Sequence, residues 1–501
     1  AAALLGQALE WLPTLPAVDA RALTLRRADA LAFAGRGADA AACYLEAAAL
    51  AAPLHALELR RRAAEQYLVS GHLEAGLDVL RPLVRDLGLT YPETPRRAVL
   101  ELLLGVARIH LRGLKFTPRA QPDRADLATL RLDTCWSAAK GLGFIDPLRA
   151  AGFAAQNLRL CLRHADPARV ARALAHFALL DVNQGGPRAA ARGAARIARA
   201  HDLALETGDP RTIGTTTIIG GVAELNSGRW RRALERVEAG VAALGERCLG
   251  VTWERSIARA MAMHARTMLG ELAALGPGAA AWQREAAELG DRFAAVVAGL
   301  YVGHARLAAG DLAAARQAVA DARATWTREG FHFQHWLALG LEVACDRYAG
   351  DLAAASRRVT QAWPAIARSN LLRMRLPRID VLALRGCAAL AAAPGASDRR
   401  ALLRAADRDA ARLEREDLAH AHAHAATIHA GMAAQTGDVP GALRRLERAA
   451  HGFAACDMSV HAASVRRLWA RLRGDPTAPA DAELRARGVA EPALFAAIHA
   501  V

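Results

Sequence analysis

The chain has 501 residues, 53% of them hydrophobic and only 5% aromatic, with 65 basic against 50 acidic residues and a formal net charge of +15. Its apolar fraction rests on Ala and Leu, which favours close-packed helices, and no uncharged apolar run reaches the length of a membrane span; Phe293 to Gly303 is too short. The positive charge is dispersed: Lys115 and Lys140 are the only lysines, and Arg60-Arg61-Arg62 fans out over different faces of a helix, so nucleic-acid binding is not expected.

The chain opens as helix at Ala1 with neither an initiator methionine nor a secretion signal, and is expected to be a fragment of a longer protein. Residues 17 to 52 and 54 to 87 read as two helix pairs, turning at Gly35 and Gly71. Pro92, Pro95, Pro118 and Pro122 then punctuate a less regular region with one long helix from about Arg96 to Arg112, and Thr117 to Asp126 reads as a hinge. Beyond it a turn recurs at Gly185, Gly228, Gly270, Gly310, Gly350, Gly395 and Gly437, a period of about 40 to 45 residues, often as Gly-Asp.

The unit around Gly310 shows the grammar. Leu312, Ala315, Val319, Ala322 and Trp326 form one apolar stripe at helical spacing, and Asp311 stands where an N-cap belongs. Gly310 permits the turn and Gly330 is expected to close the second helix. The first helix, from about Asp291 to Ala308, offers Phe293, Val296, Leu300, His304 and Leu307. Two helices that each bury one stripe must stack on neighbours. Thr215-Thr216-Thr217-Ile218-Ile219 is a poor helix run, but the period places it in a helix. The fold class is therefore all-α, a superhelical array of tetratricopeptide-like antiparallel helix pairs (an α-solenoid). Its expected divisions are N-terminal repeats over 1–116, a hinge over 117–126, the main array over 127–474, and a linker with a C-terminal capping helix over 475–501. Such an array is expected to extend along one axis, each unit touching only its neighbours.

Catalytic signatures are missing from the sequence. Lys115 is followed by Phe116 and Lys140 by Gly141, so neither completes a phosphate-binding loop, and kinase, hydrolase-elbow and zinc-protease motifs are absent. No cofactor is expected. The seven cysteines contain no Cys-x-x-Cys and read as small buried residues of a reducing, cytoplasmic compartment. His420, His422, His424 and His429 share a helix, with His420 and His424 four apart, but no acidic or cysteine partner completes a metal site; an exposed or half-buried polar face is the expectation.

Phe331-His332-Phe333-Gln334-His335-Trp336 reads in two ways. His332 or Gln334 caps a helix while Phe331 and Trp336 pack in the core, or the aromatic and polar groups form a recognition spot on the concave wall. On the second reading the candidate ligand- or partner-binding residues are Trp253, His332, His335, Trp336 and Trp363, since aromatics with a polar edge anchor partners well.

Several segments carry a family resemblance: Ala56 to Leu68 with Gly71 to Leu77, Asp133 to Trp136, Cys248 to Glu254, Glu329 to Trp336, Ala362 to Pro364, and the ending Leu484 to Pro492. They resemble the C-terminal region of large bacterial serine/threonine protein kinases, common in myxobacteria, that join a kinase domain to an AAA-type ATPase module and then a tetratricopeptide-like array. The resemblance implies a non-catalytic sensor or docking region. Its partner would be a protein, a peptide or a small effector, and its output the upstream kinase and ATPase domains of the same polypeptide. It supplies no binding residues. A sensor array of an ATP-dependent transcription regulator, an enzyme with an unrecognised site, and a stand-alone interaction scaffold are the alternatives.

Overall fold

A computed structural model describes residues 2–10, 20–118, 126–164, 166–246, 248–327 and 329–500. Among them lie 25 α-helices and no strand. Helix α1 (Ala2–Glu10) precedes the pairs α2/α3 (Ala20–Phe33, Gly37–Ala49) and α4/α5 (Pro53–Val69, Leu73–Asp86). The long α6 (Pro95–Arg112) leads to α7/α8 (Leu127–Leu142, Pro147–His164), α9/α10 (Pro167–Gln184, Pro187–Thr207), α11/α12 (Pro210–Asn226, Trp230–Leu244) and α13/α14 (Thr252–Leu269, Leu272–Leu289). Next come α15/α16 (Arg292–Ala308, Leu312–Thr325), α17/α18 (Phe333–Tyr348, Leu352–Arg368), α19/α20 (Arg375–Ala392, Arg399–Leu413) and α21/α22 (Ala419–Gln435, Val439–Ala454). Helix α23 (Ser459–Arg473) and the short α24 (Ala478–Ala486) and α25 (Pro492–His499) complete the order. The molecule is an α-solenoid of tetratricopeptide-like pairs. Most of the expected hinge, residues 119–125, lies outside the described residues.

Local chemistry explains the pairs. Asp311 caps α16 by accepting the Ala314 N–H at 3.0 Å, and Asp351 and Asp291 cap α18 and α15 in the same way. In α11 the β-branched run is helical, and two of its three threonines satisfy their hydroxyls on the backbone: Thr216 donates to Thr212 O at 2.9 Å and Thr217 to Ile213 O at 2.8 Å. Arg61 and Arg62 are engaged by Glu58, Glu65 and Asp29, which is where the densest cationic run of the sequence goes.

Two expectations need correction. Helix α16 ends at Thr325, and Gly330 does not close it; Trp326 turns to extended backbone, where its ring lies against the α4/α5 turn. The C-terminal segment holds two short helices rather than one. A larger correction concerns reach. Units about five pairs apart touch, so the array coils tightly enough for one superhelical turn to rest on the next.

Hydrogen bonds mark that seam along its length. The Arg292 N–H donates to Ser70 O at 3.0 Å, the Phe333 N–H to Phe144 O at 3.3 Å and the Arg375 N–H to Asn183 Oδ1 at 2.9 Å. Ser459 Oγ donates to Leu269 O at 2.6 Å and the Ala490 N–H to Ala308 O at 2.9 Å. The turn glycines serve both purposes. Gly270 has φ +75, and a Cβ there would meet Ser459 Oγ and Val460 Cγ2 at 2.6 Å; Gly228, at φ +68, presses on the His420 ring. A residue free to take positive φ is also the one with no side chain to hold the next coil away.

Candidate functional site

From α7 onward the first helix of each pair faces inward, and the tight coil gathers these faces round two cavities. The larger, ≈ 190 Å³, is walled by α13, α15, α17, α19, α21 and α23, with α25 covering it. The smaller, ≈ 140 Å³, lies among α7, α9, α11, α13 and the start of α17. Phe333 lines one and Trp336 the other, one turn apart on α17 with ring centroids 5.0 Å apart.

Five histidines, one each from α13, α15, α21, α23 and α25, line the larger cavity: His264, His304, His424, His461 and His499. Burial pushes His264 and His499 down to about 3 and His304 and His424 to about 4, and drives His461 well below its ordinary range. All five are neutral near pH 7. His264 Nδ1 lies 3.3 Å from the Tyr301 hydroxyl, and the rings of His461 and His499 are 4.2 Å apart. His264 Nε2 and His461 Nδ1 are buried without a partner. Among the described residues no group of three His, Cys, Asp or Glu side chains is placed to hold a metal ion.

Two charged residues share this wall. Arg347 is buried and donates through Nε (3.0 Å) and Nη2 (2.7 Å) to Ala497 O, with a longer bond to Ala500 O at 3.4 Å. It thereby ties α25 over the cavity. Asp380, on α19, has no hydrogen bond or ion pair with any described residue, and burial alone pushes its carboxyl up to about 7. The remaining surface is mainly Leu, Ile, Met and aromatic.

The smaller cavity is lined by Trp136, Phe144, Trp253 and Phe333 with Lys140 and Glu254 at its edge, 3.6 Å apart. Lys140 also pairs closely with Glu65. Its unpartnered buried oxygens are Glu254 Oε2, Asn226 Oδ1 and Thr215 Oγ1.

The five residues singled out from sequence do not converge. Trp253 lines the smaller cavity and Trp336 the larger. His332 and His335 organise the start of α17. The Trp326 indole donates to His332 Nδ1 at 3.3 Å, the His332 N–H donates to His335 Nδ1 at 3.0 Å, and His335 Nε2 sits 3.0 Å from Thr327 O. The ring nitrogens of His335 are thus both engaged within the chain, so the cap at this helix start is made by His335 rather than by His332 or Gln334, and the Gln334 amide is buried without a partner. Trp363 lies under the Arg385 guanidinium, 3.2 Å from its ring centroid, and Arg385 in turn pairs with the buried Asp409. The histidine helix also differs from expectation: His420 and His424 point inward, His422 is exposed, and His429 meets Asp407 and Glu414.

Sequence reasoning missed Asp380 and most of the histidine wall. One signal was available: His264 and His304 recur at the repeat period, on the inner faces of successive first helices.

No protein-family model matches the chain, and no curated protein matches it. Among solved structures it is similar to a Rap protein complexed with Competence and Sporulation Factor, at 11% identity and a TM-score of 0.43, over 86% of this chain and 99% of that one. At that level the chemistry of the site has to be read from its own residues. Among the described residues no helix is long and apolar enough to cross a membrane.

Proposed function

We propose that the chain is a non-catalytic regulatory array whose larger inner cavity binds a small molecule, and that occupancy biases how its superhelical turns sit on one another. The observation that carries this reading is the cavity wall itself. It gathers Asp380, His264 and His461, each with an unanswered polar group, round a mainly apolar space of ≈ 190 Å³. Buried polar groups normally have partners, and a ligand that supplies them is the default explanation of such a pocket. Among a protein, a peptide and a small effector, a small molecule fits best, because a space of ≈ 190 Å³ has room for a few heavy-atom groups rather than for a length of peptide.

Among the described residues no serine, threonine or cysteine that lines the cavity has a histidine or carboxylate within hydrogen-bond reach, which supports binding over turnover. The resemblance to regions that follow kinase and ATPase modules supports such modules of the same polypeptide as the output. The free cysteines, five of them buried, support a reducing, cytoplasmic setting. Gly340 supplies the test. It lines the cavity, and an added Cβ there meets nothing within 4 Å. Fragments that raise the melting temperature of the wild type should lose that effect in Gly340→Leu, whose side chain fills the space. Fragment binding that is indifferent to Gly340→Leu would place the site elsewhere.

A further inference from the structure

The larger cavity contains one carboxyl group with nothing among the described residues to answer it. Of its polar lining, the Tyr301 hydroxyl is paired with His264 and Arg347 is occupied by the carbonyls of α25. The histidines are neutral. Asp380 alone offers an anionic acceptor to the space, and no described cation reaches it. Arg347 stands beside Cys387, seven residues along α19 from Asp380, which is about 10 Å at the helical rise. The acidic and basic groups therefore mark opposite ends of the enclosure. The acidic end is the unsatisfied one.

The surroundings of Asp380 narrow the ligand further. Tyr301 and Trp336 line the same cavity and bring aromatic rings, the side chains that attract a cation, and Leu337 and Leu384 supply an apolar wall. Resting on the cavity reading above, we infer that the ligand is a small organic amine, its ammonium group held by the Asp380 carboxylate and its apolar body lying against Trp336 and the leucines. An anionic ligand would meet an acidic residue at one end and, at the other, a guanidinium already engaged with Ala497 O. A neutral ligand would leave the carboxyl desolvated and in its protonated form, whereas an ammonium group stabilises the ionised form.

Three probes of one shape separate these classes: 2-phenylethylamine, 2-phenylethanol and 3-phenylpropanoate, titrated calorimetrically into the whole chain and into Asp380→Asn and Gly340→Leu. The expected result is binding of the amine alone, weakened at least about tenfold by Asp380→Asn, the roughly 1.4 kcal/mol that one lost charge-assisted contact readily exceeds, and abolished by Gly340→Leu. Asp380→Asn should fold as well as the wild type, because it removes an unpaired, half-buried carboxyl; its helicity and melting curve check this. If the alcohol or the carboxylate binds as well as the amine, or amine binding survives Asp380→Asn while Gly340→Leu still blocks it, the amine assignment fails and the cavity reading stands. Binding unaffected by Gly340→Leu overturns both. Silence of all three probes overturns the amine assignment, and the fragment comparison at Gly340 then decides the cavity reading by itself.

Discussion

Acid should dismantle this molecule well above the pH at which carboxylates protonate. Burial holds His176, His304, His332 and His424 at about 4, and His264, His420 and His499 at about 3. An unfolded histidine titrates near 6.5. Each of these residues is therefore neutral when folded and takes up a proton readily only when unfolded. The stability this contributes is complete above about pH 6.5 and is lost as the pH falls toward the folded values. At about pH 5 each such histidine costs about 2 kcal/mol. Asp380 and Asp291 act with the opposite sign, because burial raises them to about 7 and about 6, so acid relieves their desolvation. Together they offset roughly 3 to 4 kcal/mol over the same interval. The balance is on the order of 10 kcal/mol, comparable to the whole stability of a typical domain.

The assay is urea unfolding followed by near-ultraviolet circular dichroism at about pH 7, 6 and 5, with the histidine ring resonances followed by NMR under native conditions. A steep fall of the urea midpoint below about pH 6.5, with most ring resonances failing to titrate before unfolding, is the expected outcome. A midpoint level down to about pH 5, or histidines titrating near their ordinary value in the folded chain, would refute the buried, neutral histidine wall.

Three substitutions address separate parts of the architecture. Gly340→Ala adds a methyl to open space on a helix and should raise stability by about 0.5–1 kcal/mol in chemical denaturation; a loss would show that the space is not there. Arg347→Met strips the donors from Ala497 O and should cost about 1–3 kcal/mol, with faster amide exchange confined to α25; unchanged exchange there would dissolve the tie between α17 and α25. Gly270→Ala meets Ser459 and Val460 at positive φ, whereas Gly437→Ala, also at positive φ, meets nothing. Both should lose the roughly 1–2 kcal/mol of a left-handed alanine, and Gly270→Ala about 1–3 kcal/mol more for overpacking; equal losses would mean that the turns do not press together at Gly270.

What the sequence disclosed and what it withheld follow from the range of each signal. The glycine period, the aspartate caps and the apolar stripes act within one pair, and α15 and α16 formed nearly as that grammar required. The seam between superhelical turns depends on residues roughly 180 to 220 positions apart, and nothing in a turn glycine tells what will lie across it. Phe331 to Trp336 was legible as a dense polar-aromatic motif, yet its histidines face the backbone of their own helix start, a preference that local pattern could raise but not decide. Asp380 was readable in principle: Leu376 four residues before it and Ala383 and Leu384 three and four after it put it on the apolar side of α19. A lone acidic residue on such a face carries meaning only once the opposite walls are known.

Those walls come from different turns of the coil. Helices α13, α15 and α17 belong to one turn, while α23 and α25 belong to the next and meet them through Ser459 to Leu269, Ala490 to Ala308 and Arg347 to Ala497. A molecule in the cavity would therefore touch both turns at once. In an open array, a ligand must alter curvature by small amounts over many units to be felt at a distance. Here, filling or emptying one enclosure would act directly on the spacing between turns, and the hydrogen bonds along the seam would convert that spacing into one of two packings rather than a gradual bend. The Arg347 tie fits this view. It joins the cover of the cavity to the helix that carries Trp336 and Gly340, so displacing α25 and reshaping the pocket would be a single event.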